Sequence, residues 1–172
     1  MSDRRLRRTV ATALVSALVV ALESNSIDDV ASLLTQIGAT LPRRRRFVVE
    51  SVSSLEQCTG ALFTGGRSTP VFKVAVRCSN EEVDRRLVIK IVRGGHSQRV
   101  HRSYVVESNF YASGCASALR AASLMLPRFV ASGTCAIEPP PADVADPRLT
   151  PREQATAFCF VMRDLESSHP LH

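Results

Sequence analysis

The sequence predicts an α+β fold: an antiparallel sheet of about five strands with one helix packed on it, preceded by an N-terminal helical segment. Three observations lead there. Apolar residues recur at helical spacing as far as Ile37, and the apolar period shortens to two from Phe47 onward. Two runs rich in Val and Ile flank a short polar turn, the mark of an antiparallel hairpin. At 172 residues, 45% hydrophobic and 22% charged, the chain is long enough and apolar enough to bury a core of its own.

The elements follow in order. Met1–Arg8 is basic and Thr9–Leu22 carries no charge. Val10, Leu14, Leu18 and Leu22 recur four apart, as in a core-facing helix. A secretory signal has a similar outline but lacks a small-x-small cleavage site here, and the run is too short for a membrane span. An Arg-rich mitochondrial presequence is a further alternative, against which Asp3 stands. The expected location is cytoplasmic, with mitochondrial as the alternative and no membrane span. A second helix starts at Ser26, with Asp28 and Asp29 in its first turn, a stripe of Val30, Leu33, Leu34 and Ile37, and Gly38 to end it. Pro42 and Arg43–Arg46 form a break, so residues 1–46 read as an extension and 47–172 as the main domain.

Phe47–Val52 and Ala61–Phe63 read as strand pieces joined to the next strand by the turn Thr64–Gly65–Gly66–Arg67–Ser68. Val71–Arg77 alternates, with Phe72, Val74 and Val76 on one face and Val71, Lys73 and Ala75 on the other. After the polar turn Ser79–Asp84, Leu87–Val92 is the second strand of the hairpin. Gln98–Ala112 reads as a helix with Val100, Tyr104, Glu107 and Tyr111 on one stripe. Ala116–Met125 is a further helical stretch and Arg128–Ala131 a short strand. Ile137–Gln154 holds five of the nine prolines, which predicts a long surface loop or disordered insertion. Phe158–Met162 is the last strand.

Charge and cysteine usage narrow the function. The net charge is +6, but the arginine runs lack interleaved aromatics and no nucleic-acid-binding motif is visible, so nucleic acid is not expected as a partner. Five cysteines, widely spaced and without C-x-x-C, argue against a disulfide framework or a zinc site. Only two of the 22 basic residues are lysines, Lys73 and Lys90, both inside apolar runs.

Lys90 is the chemically informative one. A lysine in mid-strand among β-branched residues is costly to bury unless it meets an anion; otherwise it belongs on a solvent-facing edge. Glu107, on the apolar stripe of the following helix, needs a partner for the same reason. The two can satisfy one another if that helix packs on the sheet, leaving the ammonium group aimed at phosphate oxygens. In the upstream turn, the backbone at Gly65 and Gly66 with the Ser68 and Thr69 hydroxyls can cover phosphates, although two adjacent glycines are also an ordinary hairpin turn. The exit of the last strand, from Met162 to Asp164, can offer backbone groups to an adenine edge.

In this order the motifs resemble the N-terminal lobe of choline/aminoglycoside-kinase-like phosphotransferases, and in particular their ecdysteroid-kinase-like branch. The matching pieces are Phe72–Lys73–Val74–Ala75–Val76, Leu87–Val88–Ile89–Lys90, Glu107–Ser108–Asn109–Phe110–Tyr111, Pro127–Arg128–Phe129–Val130 and Phe160–Val161–Met162–Arg163–Asp164–Leu165. They span about Ser53 to Leu165. The resemblance implies a kinase-like small lobe that binds ATP, with Lys90 and Glu107 as its ion pair and a small-molecule hydroxyl as acceptor. Arg163 stands where the family has Glu, and the spacing G-x-G-x-x-G is absent. The family's large lobe would carry the catalytic and metal-binding aspartates, and the chain stops at His172 before it. The expectation is therefore an incomplete phosphotransferase with no catalytic residue of its own and Mg²⁺ supplied by the missing lobe. The alternative is a non-catalytic, pseudokinase-like or truncated interaction protein.

Overall fold

The computed structural model describes residues 3–58, 70–79, 81–82, 84–93, 95, 97–122, 126 and 128–164. The elements are α1 (Asp3–Glu23), α2 (Ile27–Thr40), a 3₁₀ turn (Arg43–Arg45), β1 (Val49–Cys58), β2 (Val71–Cys78), β3 (Arg85–Arg93), α3 (Gln98–Ala112), α4 (Cys115–Ala121), β4 (Arg128–Ala136), α5 (Pro151–Gln154) and β5 (Thr156–Arg163). The five strands form one antiparallel sheet in the order β1-β2-β3-β5-β4. The α+β class and the five-stranded antiparallel sheet expected from the sequence are both present.

Alternation along the strands gives the sheet two different faces. Phe72, Val74, Val76 and Cys78 of β2, with Leu87, Ile89 and Ile91 of β3, are buried on one side. Val15, Leu18, Val19 and Leu22 of α1 and Val30, Leu34 and Ile37 of α2 cover that side and share its core. The helices of the N-terminal segment are thus structural parts of the same hydrophobic cluster as the sheet. Each aliphatic side chain buried there contributes roughly 1.5–3 kcal/mol by removal from water. The opposite face carries a smaller cluster of Val92, Phe158, Phe160 and Met162, against which Tyr104 and Tyr111 of α3 pack.

Several boundaries differ from those expected. β1 begins at Val49 and runs on to Cys58, where the sequence suggested Phe47–Val52. Register shifts at Val49/Ser51 and Val52/Ser54 break its two-residue period, which hid its length. The strand expected at Ala61–Phe63 and the turn Thr64–Thr69 lie outside the described residues. β4 continues to Ala136. α2 passes through Gly38, expected as its end, and stops at Thr40. A Cβ at Gly38 would overlap the Phe47 carbonyl and ring, so this glycine lets α2 approach the chain leading into β1. Among the described residues no helix is long and apolar enough to cross a membrane.

The proline-rich stretch is ordered by one carboxylate. Asp146 is buried and accepts from the Gln98 backbone N–H at the start of α3 (2.8 Å), from the Arg148 backbone N–H (3.0 Å) and from the Arg148 guanidinium (2.8 and 2.9 Å). Gln154 Nε2 donates to the Asp146 and Leu149 carbonyls. Thr150 and Glu153 form a reciprocal capping box on α5. The stretch is a largely exposed loop, as the sequence suggested, and not a disordered insertion: it clamps the first turn of α3.

Candidate functional site

Cross-strand register sets out the face beneath α3 row by row. Val71, Lys90 and Phe160 stand opposite one another on β2, β3 and β5, and Lys73, Val88 and Met162 form the next row. Directly opposed residues in an antiparallel ladder project to the same side. Ala75 and Arg86 come next, and the Asp164 backbone N–H donates to the Arg86 carbonyl at 3.0 Å, extending the ladder one residue past β5. Three residues singled out in the sequence, Lys90, Met162 and Asp164, thereby fall on neighbouring rows of the two inner strands β3 and β5, running from Lys90 to the end of the sheet at Asp164.

α3 brings the fourth. His101, Tyr104 and Tyr111 lie along its inner side: His101 meets the Phe158 ring edge-on at 5.1 Å, Tyr104 packs on Phe158 and Phe160, and Tyr111 stacks on Phe129 at 5.0 Å. Glu107 lies between Tyr104 and Tyr111 along the helix, and its carboxylate receives Lys90 Nζ at 3.2 Å (Oε2) and 3.5 Å (Oε1). The Lys90 ammonium also sits 4.6 Å from the centre of the Tyr104 ring and 5.7 Å from that of Phe160. A cation over aromatic faces is held by the ring quadrupoles as well as by its counter-ion. Side-chain exposures of 21% for Lys90 and 27% for Glu107 leave the pair half-open, so the ammonium can be approached from solvent. Burial, and after it the nearby Glu107 charge, raises the Tyr111 phenol above its ordinary value.

No family model, curated protein or solved structure matches this chain.

Of the eight residues expected to contact a nucleotide, the structure pairs Lys90 with Glu107 and sets Met162 and Asp164 on the same part of the sheet. Met162 is buried in the small aromatic cluster, opposite Val88. Gly65, Gly66, Ser68 and Thr69 lie outside the described residues. Two features escaped the sequence reading of the site. Lys73 shares the Lys90 face, exposed and diagonal to it, so both lysines of the chain point to one side. Strand parity alone gives this once the β2–β3 register is known. Tyr104 and Phe160 cradle the ammonium, and only the packing of α3 over β5 discloses that. Among the described residues no group of three or more His, Cys, Asp or Glu side chains comes together as a metal site would.

The arrangement can do one thing well. It presents a fixed, partly solvated ammonium, with a second lysine beside it, above half-buried Val71, Ala75 and Val88. Positive charge beside a small apolar surface suits an anionic group attached to a flat or apolar body.

Proposed function

We propose that this chain is the ATP-binding lobe of a kinase-like phosphotransferase acting on a small-molecule hydroxyl. The observation that carries the reading is the Lys90–Glu107 pair, formed between the third strand and the helix that follows it, on the face where α3 packs. Lys90 Nζ donates to phosphate oxygens, and Glu107 holds the ammonium in place. Val88, Ala75 and Val71 offer the apolar surface against which a base would lie; the backbone of Met162 and Arg163 is spent on β3 and β4, so the polar edge of the base is assigned to the chain leaving β5 at Asp164. These residues fit a nucleotide in charge and in the order in which they come along the sheet. ATP supplies the phosphoryl group when bound; Mg²⁺ and the catalytic aspartate belong to the large lobe that the resemblance implies.

Titration of the protein with ATP tests this. Lys90→Ala is expected to weaken ATP binding at least about tenfold, the loss of one charge-assisted phosphate contact. Unchanged ATP affinity in that variant overturns the role given to Lys90. A second reading, a non-catalytic interaction protein, is favoured by two adjacent exposed valines on the largely polar outer side of α3, Val106 at 67% and Val105 at 39%. On that reading Val106→Asp abolishes the biological output and Lys90→Ala leaves it intact; the kinase-like reading expects the reverse.

A further inference from the structure

Three adjacent strands place an arginine at the same end of the same face. Arg163 of β5 stands directly opposite Arg128 of β4 and opposite Leu87 of β3, and Arg85 lies two residues from Leu87 on the same side. Like charges opposed across strands destabilise a sheet, so a cluster of three calls for a counter-charge. Glu81 supplies part of it, pairing with Arg85 and reaching Arg163 at 3.3 Å. Arg128 has no such partner: among the described residues no carboxylate reaches it. Arg45, projecting from the 3₁₀ turn, and Arg120 of α4 are in the same condition.

These side chains surround a cavity. Arg45, Arg85, Arg128 and Arg163, with Glu81, line a cleft of ≈ 240 Å³. A second hollow of ≈ 180 Å³, bordered by Arg45 and Arg120, adjoins it. Arg85 is anchored rather than free to swing, since its guanidinium also lies 4.4 Å from the centre of the Phe47 ring. Burial, and next the charges of Arg45, Arg120 and Arg85, pushes the Arg128 guanidinium below its ordinary value; burial and Arg85 do the same to Arg163. An anion entering the cleft relieves that mutual repulsion.

We propose that this cleft binds a small phosphate-bearing molecule with at least two negative charges, gripped by Arg45 and Arg128 with Arg85 and Arg163 behind them. Guanidinium forks match phosphate oxygens in pairs, which favours phosphate over a single carboxylate. A cleft of ≈ 240 Å³ suits a compact ligand, and its two lining aromatics are already engaged, Phe47 by Arg85 and Phe129 by Tyr111, where a strand of nucleic acid would need free stacking faces. The cleft opens at the α1/α2 side of the sheet, away from Lys90, and does not depend on the nucleotide reading.

Calorimetric titration with inorganic pyrophosphate at low ionic strength tests it. One saturable equivalent is expected. Arg128→Gln and Arg45→Gln are each expected to weaken it about tenfold, and Arg99→Gln, on the exposed side of α3, to change it less than about twofold. Arg45 is exposed and pairs with no carboxylate among the described residues, so its variant folds even if Arg128→Gln does not, and it decides the matter alone. Equal affinity in wild type and Arg45→Gln overturns the proposal. So does a loss of binding in Lys90→Ala with both arginine variants unaffected, which would assign pyrophosphate to the nucleotide face. Tighter binding of a mixed-sequence oligonucleotide than of pyrophosphate, lost in Arg45→Gln, would give the cleft to nucleic acid and equally overturn it.

Discussion

At the scale of single residues, the Lys90–Glu107 pair sits between two regimes. Fully exposed pairs contribute about 0–1 kcal/mol, while breaking a buried pair costs about 3–5 kcal/mol. Half-exposed and reinforced by two rings, this one is expected to show a coupling of about 1 kcal/mol in a double-mutant cycle of Lys90→Met and Glu107→Gln, read by denaturant unfolding. A coupling indistinguishable from zero would mean that the pair is incidental to the fold. The cysteines make a second, independent prediction. Burial raises the thiols of Cys78, Cys135 and Cys159 above their ordinary value, Cys159 most strongly, whereas Cys115 is exposed. The thiolate is the nucleophile, so those three are expected to stay unmodified by a maleimide at neutral pH while Cys115 reacts. Raising the pH should not bring Cys159 into reaction until the protein unfolds.

Among the elements, two contacts invite a test. Gly38→Ala forces a Cβ into the Phe47 carbonyl, which is backbone and cannot swing aside; a loss of about 1–3 kcal/mol is expected from equilibrium unfolding. Asp146 clamps α3, and hydrogen bonds from Arg148 and from the Gln98 and Arg148 backbone hold its carboxyl well below the usual carboxylate range. A depressed pKa stabilises above the unfolded value, about 3.9, and the contribution fades as pH falls toward the folded value. Hydrogen exchange in the first turn of α3 is therefore expected to quicken below about pH 4 in the native protein, and to be fast and nearly pH-independent in Asp146→Ala once intrinsic exchange is allowed for.

The same elements show what the sequence could disclose. β2 and β3 were legible because unbroken alternation fixes both period and face, and the Lys90–Glu107 pair because each member was out of place on an apolar stripe. β1 was obscured by its bulges. The clamp on α3 joins Asp146 to Gln98, and the arginine cluster joins Arg85, Arg128 and Arg163, through register and loop path. No local pattern encodes contacts of that kind.

For the molecule as a whole, the decisive fact is that α1 and α2 cover the larger core. Stripped of residues 1–46, the sheet would expose Phe72, Val74, Leu87, Ile89 and Val161 to water. The truncated chain is expected to aggregate or to lose its near-ultraviolet circular dichroism; a soluble, cooperatively melting fragment would show that the sheet and α3 stand alone. β5 carries a last consequence. It is the most buried strand and lies between β3 and β4, yet it is the last to be made. During synthesis, β1 to β3 and β4 can emerge from the ribosome with the middle of the sheet missing and two bare edges facing each other. Such edges are templates for pairing with another chain. A nascent chain arrested before Thr156 should thus recruit chaperones or bind a neighbouring copy, and one arrested well beyond Asp164 should not.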